Sequence, residues 1–143
     1  MKHERSIQLF RSLMAFFSFI FFTTALVFLF LPRYLIQSLN EIGNFFNFSS
    51  VSIDNQYFWI SLTVSMMATI TLCCLLLWYN PYRYQPVFWP FLTAKMTSSA
   101  CGLYYFLAFS HAFCHLVIPL IDLPIALVGL WAYRSAFQEK VTS

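Results

Sequence analysis

Four long, nearly uncharged apolar runs, at 12–31, 57–79, 91–109 and 116–133, fill most of a 143-residue chain. Each approaches the ~20 residues a helix needs to cross ~30 Å of hydrocarbon, beyond the 10–14 of an ordinary core helix. Hydrophobic residues make up 60% of the chain and charged residues 9%, where soluble domains carry about a quarter charged. The ten-residue alternation of a membrane barrel is absent. These features predict one all-α domain over 1–143, a polytopic membrane protein built as an up-down bundle of four transmembrane helices.

Charge sorts by loop and sets an orientation. Lys2, Arg5 and Arg11 precede the first run, Arg83 lies between the second and third, and Arg134 and Lys140 follow the fourth. The opposite loops hold Arg33 beside Glu41 and Asp54. An excess of Lys and Arg marks the cytoplasmic side, so both termini are expected there. Tyr57, Trp59, Trp78, Tyr79, Trp89, Trp131 and Tyr133 stand near run ends, as interfacial ring anchors do. The net charge of +3 is therefore read as topology, and no nucleic-acid partner is expected. The first run is too long for a signal peptide's apolar core and lacks a small-x-small cleavage site before Pro32, so it is read as an uncleaved anchor.

Pro32 ends the first run. Leu35, Leu39, Ile42 and Phe46 then recur at helical spacing, opposite Gln37, Ser38, Asn40, Glu41 and Asn44, with Gly43 as a stop. Two readings stay open: a short amphipathic helix in the outer interface, or an ordered loop across the bundle mouth. Asn47-Phe48-Ser49 is a glycosylation sequon on the outer side. Asn80-Pro81 ends the second run, and the prolines to Pro90 predict a stiff, extended inner loop. A tight turn over 110–115 joins the last two spans, and short connections make consecutive spans antiparallel neighbours.

Inward faces follow from small residues. Ser61, Ser65, Thr69 and Cys73 recur every four positions in the second run, and Ala94, Ser98 and Gly102 do so in the third. Small-xxx-small stripes let backbones approach in lipid, so the two are expected to face each other, with packing favoured over a polar pathway. Asp122 is the leading functional candidate. Only ten residues separate Pro124 from Tyr133, ~15 Å of helix, so the fourth span must extend past Asp122 and carry its carboxylate into the membrane. Ala126, Gly129 and Tyr133 share its face and turn it toward the bundle. Counting depth at 1.5 Å per residue places Thr23, Thr24, Ser65 and Tyr105 beside it. The same count puts Lys95 ~10 Å away in depth, and Lys95 is expected to snorkel to the cytoplasmic interface. Two roles for Asp122 remain open. It caps a helix distorted by Pro119 and Pro124, or it is a protonatable group in a pocket or on a path.

His111 and His115 put two imidazoles on one helical face and are weak metal candidates; no acidic residue close by in sequence completes a site. No metal or cofactor is expected. Cys73, Cys74, Cys101 and Cys114 form no Cys-x-x-Cys, which argues against a thiol oxidoreductase. No phosphate-binding glycine loop, Gly-x-Ser-x-Gly or His-Glu-x-x-His occurs, so no catalytic constellation is visible.

The layout resembles small four-span membrane proteins of the DoxX-like kind, through Leu31-Pro32, the amphipathic outer loop, Lys95-Met96-Thr97-Ser98-Ser99 and Asp122-Leu123-Pro124. The resemblance implies that fold and a bacterial inner membrane, and it transfers no functional residue. Four-span drug exporters match less well because the first run lacks their embedded acid; four-span glutathione-conjugating enzymes match less well because their arginine and histidine motif is missing. The expected function is a binding or accessory module that holds a lipid, a small apolar ligand or a membrane partner. The alternative is a proton- or cation-coupled transporter subunit using Asp122, with homo-oligomerisation to enclose a pathway.

Overall fold

A computed structural model of the chain describes residues 2–52 and 57–137. Asp54 and Lys140, used above in the charge sorting, lie outside the described residues. Among the described residues there are five α-helices and one short 3₁₀ turn: α1 Lys2–Phe30, α2 Pro32–Phe45, α3 Tyr57–Tyr79, the turn Gln85–Val87, α4 Phe88–Ala108 and α5 Phe113–Phe137. Among the described residues, three helices are long and apolar enough to cross a membrane, over His3–Phe30, Phe58–Tyr79 and Phe113–Phe137. α4 is of comparable length but carries Lys95.

Prolines punctuate the elements. Pro32 stands at the first position of α2, where its missing N–H costs nothing. α1 begins well before the apolar run, so the basic segment is helical, and its Ile7 and Phe10 are buried. Pro81 disfavours helix at Asn80, and Asn80 Oδ1 accepts the Arg83 N–H at 3.1 Å, closing a turn. The segment between α3 and α4 is thus a compact turn leading into Gln85–Val87, not the extended loop expected; Pro86 lies inside the 3₁₀ turn and Pro90 in the first turn of α4.

α1 packs chiefly along α3, α4 along α5, and α1 bridges the two pairs through α5. The α3–α4 seam is thin. The core sits toward the end where α1 begins and α5 closes. There Phe10, Phe88, Phe91, Leu77 and Tyr133 are buried, Phe88 stacks on Tyr133 with ring centroids 4.3 Å apart, and Gln85 Nε2 donates to the Tyr133 hydroxyl at 2.9 Å. Outward faces carry many large apolar side chains, with Phe16, Phe19, Phe22, Leu107 and Trp131 exposed.

α2 resolves the alternative left open after Pro32 in favour of a helix, packed on α5 and on α1. It runs past Gly43, so that residue does not stop it. A Cβ at Gly43 would lie 2.8 Å from Phe113 Cβ, and glycine is there because α2 crosses the start of α5 at close range. The helix ends instead at Phe45, with Phe46 as its cap and Asn47 beyond it at a left-handed φ of 60°. Asn47 N–H donates to the Asn44 carbonyl at 3.1 Å and Phe48 N–H to the Gly43 carbonyl at 2.9 Å, a Schellman closure. The following strand-like segment is tied down at two points. Asn40 both donates to and accepts from the Val51 backbone at 2.8 and 2.9 Å, and Ser49 N–H donates to the His111 carbonyl at 3.0 Å.

Candidate functional site

Within the four apolar runs the only charged residues are Lys95 and Asp122. The fold brings them together. Lys95 Nζ donates to Asp122 Oδ1 at 2.8 Å, with the lysine side chain 1% exposed and the aspartate side chain 11%. Ser98 Oγ donates to Asp122 Oδ2, and the ammonium lies 4.1 Å from the centroid of the Phe21 ring of α1. Ser99 Oγ donates to the Lys95 carbonyl at 2.8 Å. Among the described residues no buried side-chain nitrogen or oxygen lacks a partner. The pair is a satisfied, desolvated ion pair, stabilised further by the aromatic face.

This corrects the expectation that Lys95 snorkels to the interface. Depth counting had levelled the helices by their apolar ends; the Phe88–Tyr133 stack sets the actual register. Lys95 is seven residues beyond Phe88 and Asp122 eleven from Tyr133, so their backbones differ by four residues, about 6 Å along the axis. A lysine stem spans that gap. The neighbours expected from depth are elsewhere: Tyr105 is 48% exposed, Ser65 and Thr23 are exposed, and Thr24 is half-buried. None of them bonds Asp122.

The capping role also falls. α5 runs unbroken through Pro119 and Pro124, and the Asp122 carboxylate bonds to α4 and not to its own backbone. The inward face expected for it is correct: Asp122, Ala126, Gly129 and Tyr133 are all buried.

The two small-residue stripes do not meet. Ser61, Ser65 and Thr69 are exposed and Cys73 is half-buried, with Thr69 Oγ1 returned to the Ser65 carbonyl at 3.0 Å. The α4 stripe faces α5 instead. Ala94 is half-buried beside the core, Ser98 bonds Asp122, and Gly102 is buried against α5. A Cβ at Gly102 would fall 2.9 Å from the His115 carbonyl oxygen and 2.9 Å from Pro119 Cδ. Pro119 offers no N–H to that carbonyl, so the glycine admits a backbone group that the helix itself leaves free.

His111 is exposed and precedes α5, whereas His115 lies within it, so the two imidazoles do not share a helical face. Their rings pack on Phe106 at 5.2 Å and Tyr105 at 5.9 Å. Among the described residues no three metal-ligating side chains converge.

A second feature escaped the sequence reading. Two open cavities, of about 370 and 430 Å³, run along the α1–α3 seam and share Phe22, Thr71 and Leu75. Ala25 and Ala68 leave the space at one end, and Ala15, Ser18 and Trp78 line the other. The walls are almost wholly apolar; Thr71 turns its hydroxyl to the Met67 carbonyl at 2.8 Å. Neither cavity is lined by Lys95, Ser98 or Asp122. The sequence signal was one alanine on each helix, Ala25 on the phenylalanine-rich α1 and Ala68 on α3, legible only once α1 and α3 were known to be partners. Comparison of the chain with known protein families, with curated proteins and with solved structures returns no match.

Proposed function

We propose that this chain is a four-span membrane protein with both termini on the cytoplasmic side, acting as a non-catalytic module that binds an apolar, lipid-like ligand along the α1–α3 seam. In this reading α4 is the fourth span, and its charge is neutralised inside the bundle by Asp122. The observation that carries the binding reading is the pair of open apolar cavities along the α1–α3 seam, which meet at Phe22, Thr71 and Leu75. The Lys95–Asp122 pair is then the fastener of the α4–α5 half, which leaves the α1–α3 face free to receive the ligand. The resemblance to DoxX-like proteins supports the same layout in a bacterial inner membrane.

The test is native mass spectrometry of the full chain released from its own membrane. A retained small mass on the wild type that disappears in Ala68→Phe, with the thermal unfolding midpoint unchanged, supports binding in the groove. Retention of the same mass by both proteins rejects it.

The transporter reading keeps one observation in its favour. A carboxylate paired to an ammonium inside hydrocarbon is a group whose protonation would release its partner. It requires pH-driven proton flux in liposomes that Lys95→Met and Asp122→Leu together abolish.

A further inference from the structure

The groove has a charged end. Along α1, positions 11, 15, 18, 22, 25 and 29 fall on one face, and five of these, Ala15 to Leu29, line the two cavities. The sixth is Arg11, exposed, one turn beyond Ala15 toward the start of α1. Its Nε donates at 2.9 Å to the carbonyl of Trp78, whose side chain is itself a wall of the groove. That bond fixes the guanidinium beside Trp78, and among the described residues Arg11 has no carboxylate partner. With Nε engaged, its two terminal nitrogens remain as donors one helical turn from the end of the apolar cavities.

The channel has the length of one lipid tail. From Ala15 to Leu29 is about 21 Å of helix at 1.5 Å per residue, enough to take a chain that crosses one leaflet, about 15 Å of the ~30 Å core. A planar guanidinium is matched to the paired oxygens of a phosphate. The neighbouring Trp78 sits where indole rings mark the headgroup level.

We propose that the occupant of the groove is an anionic phospholipid of the leaflet nearest the termini, its phosphate held by Arg11 and one acyl chain laid between α1 and α3. This deepens the binding reading above and rests on it. A tail alone would need no Arg11, and a headgroup alone would need no groove.

The experiment uses the full purified chain in neutral detergent, titrated by native mass spectrometry with phosphatidylglycerol and with phosphatidylcholine of identical acyl chains. Wild type should hold one phosphatidylglycerol about tenfold more tightly than phosphatidylcholine, the scale of one charge-assisted contact. Arg11→Gln should lose that preference and still bind both lipids weakly, while Arg5→Gln, exposed on α1 outside the groove-lining stripe, retains it. Ala68→Phe should lose both lipids, and Leu72→Trp, at an exposed position of the same wall, repeats the test should the first variant unfold. If Ala68→Phe and Leu72→Trp abolish binding but Arg11→Gln leaves the headgroup preference intact, the anionic-lipid assignment is overturned and the apolar groove stands. If none of these variants alters lipid retention, both fall. A dimer mass that the groove-filling variants convert to monomer overturns the proposal in favour of a second copy of this chain.

Discussion

A lysine and an aspartate that neutralise each other inside a bundle make single substitutions costly and paired ones cheap. Removing either partner leaves an uncompensated buried charge, which costs about 3–5 kcal/mol. Asp122→Leu and Lys95→Met should each destabilise the protein by that amount in detergent unfolding, and the double variant should recover most of the loss. Two independent, additive losses would show that the pair does not couple. Ser98 belongs to the same unit, since its hydroxyl bonds the second carboxylate oxygen. Gly102 is held by a different constraint. Its added methyl would meet a backbone carbonyl and a proline ring, neither of which can swing away, so Gly102→Ala should cost about 1–3 kcal/mol by overpacking. A thermal melt of the purified variant checks it.

At the scale of elements, α3 and α4 carry similar stripes but use them differently. The α4 stripe is consumed by contact with α5, while Ser61, Ser65 and Thr69 of α3 look outward. Ser65→Leu should therefore stay within about 0.5 kcal/mol of wild type, as surface changes do. A loss comparable to that of Gly102→Ala would place the α3 stripe in an interface. α2 is anchored by few contacts, and the paired hydrogen bonds between Asn40 and Val51 carry much of its hold on the chain that follows. Asn40→Ala should raise amide exchange over residues 48–52 and leave the global melt nearly unchanged, because the core lies at the other end of the bundle.

The whole molecule turns on whether α4 crosses the bilayer. α4 carries Lys95 among several Ser, Thr and Tyr residues, but a span is judged by its net burden in the assembled bundle, where Lys95 is cancelled by Asp122. On a background with Cys73, Cys74, Cys101 and Cys114 replaced, single cysteines from Arg83→Cys and His111→Cys should react with an impermeant thiol reagent from opposite sides of the membrane. Labelling from one side would return α4 to the interface and leave three crossings. The lipid-facing aromatics Phe16, Phe19 and Phe22 are consistent with crossing by α1, since water would not support so much exposed ring surface.

Length and apolarity of the runs, proline positions and the spacing of Asp122 with Ala126, Gly129 and Tyr133 were enough to read the four long helices and the inward face of α5, because these are local, periodic properties. They also singled out Asp122 as the polar residue worth explaining. Its partner was not legible. Lys95 and Asp122 are 27 positions apart, and their meeting depends on the sliding of α4 along α5 that the Phe88–Tyr133 stack determines. Likewise the chain alone could not say that α1 would choose α3, and so could not show the groove between them. In lipid many apolar faces are equally at ease against acyl chains or another helix; which faces are buried is decided by close approach, ring stacking and charge cancellation, all of which exist only once the helices have met.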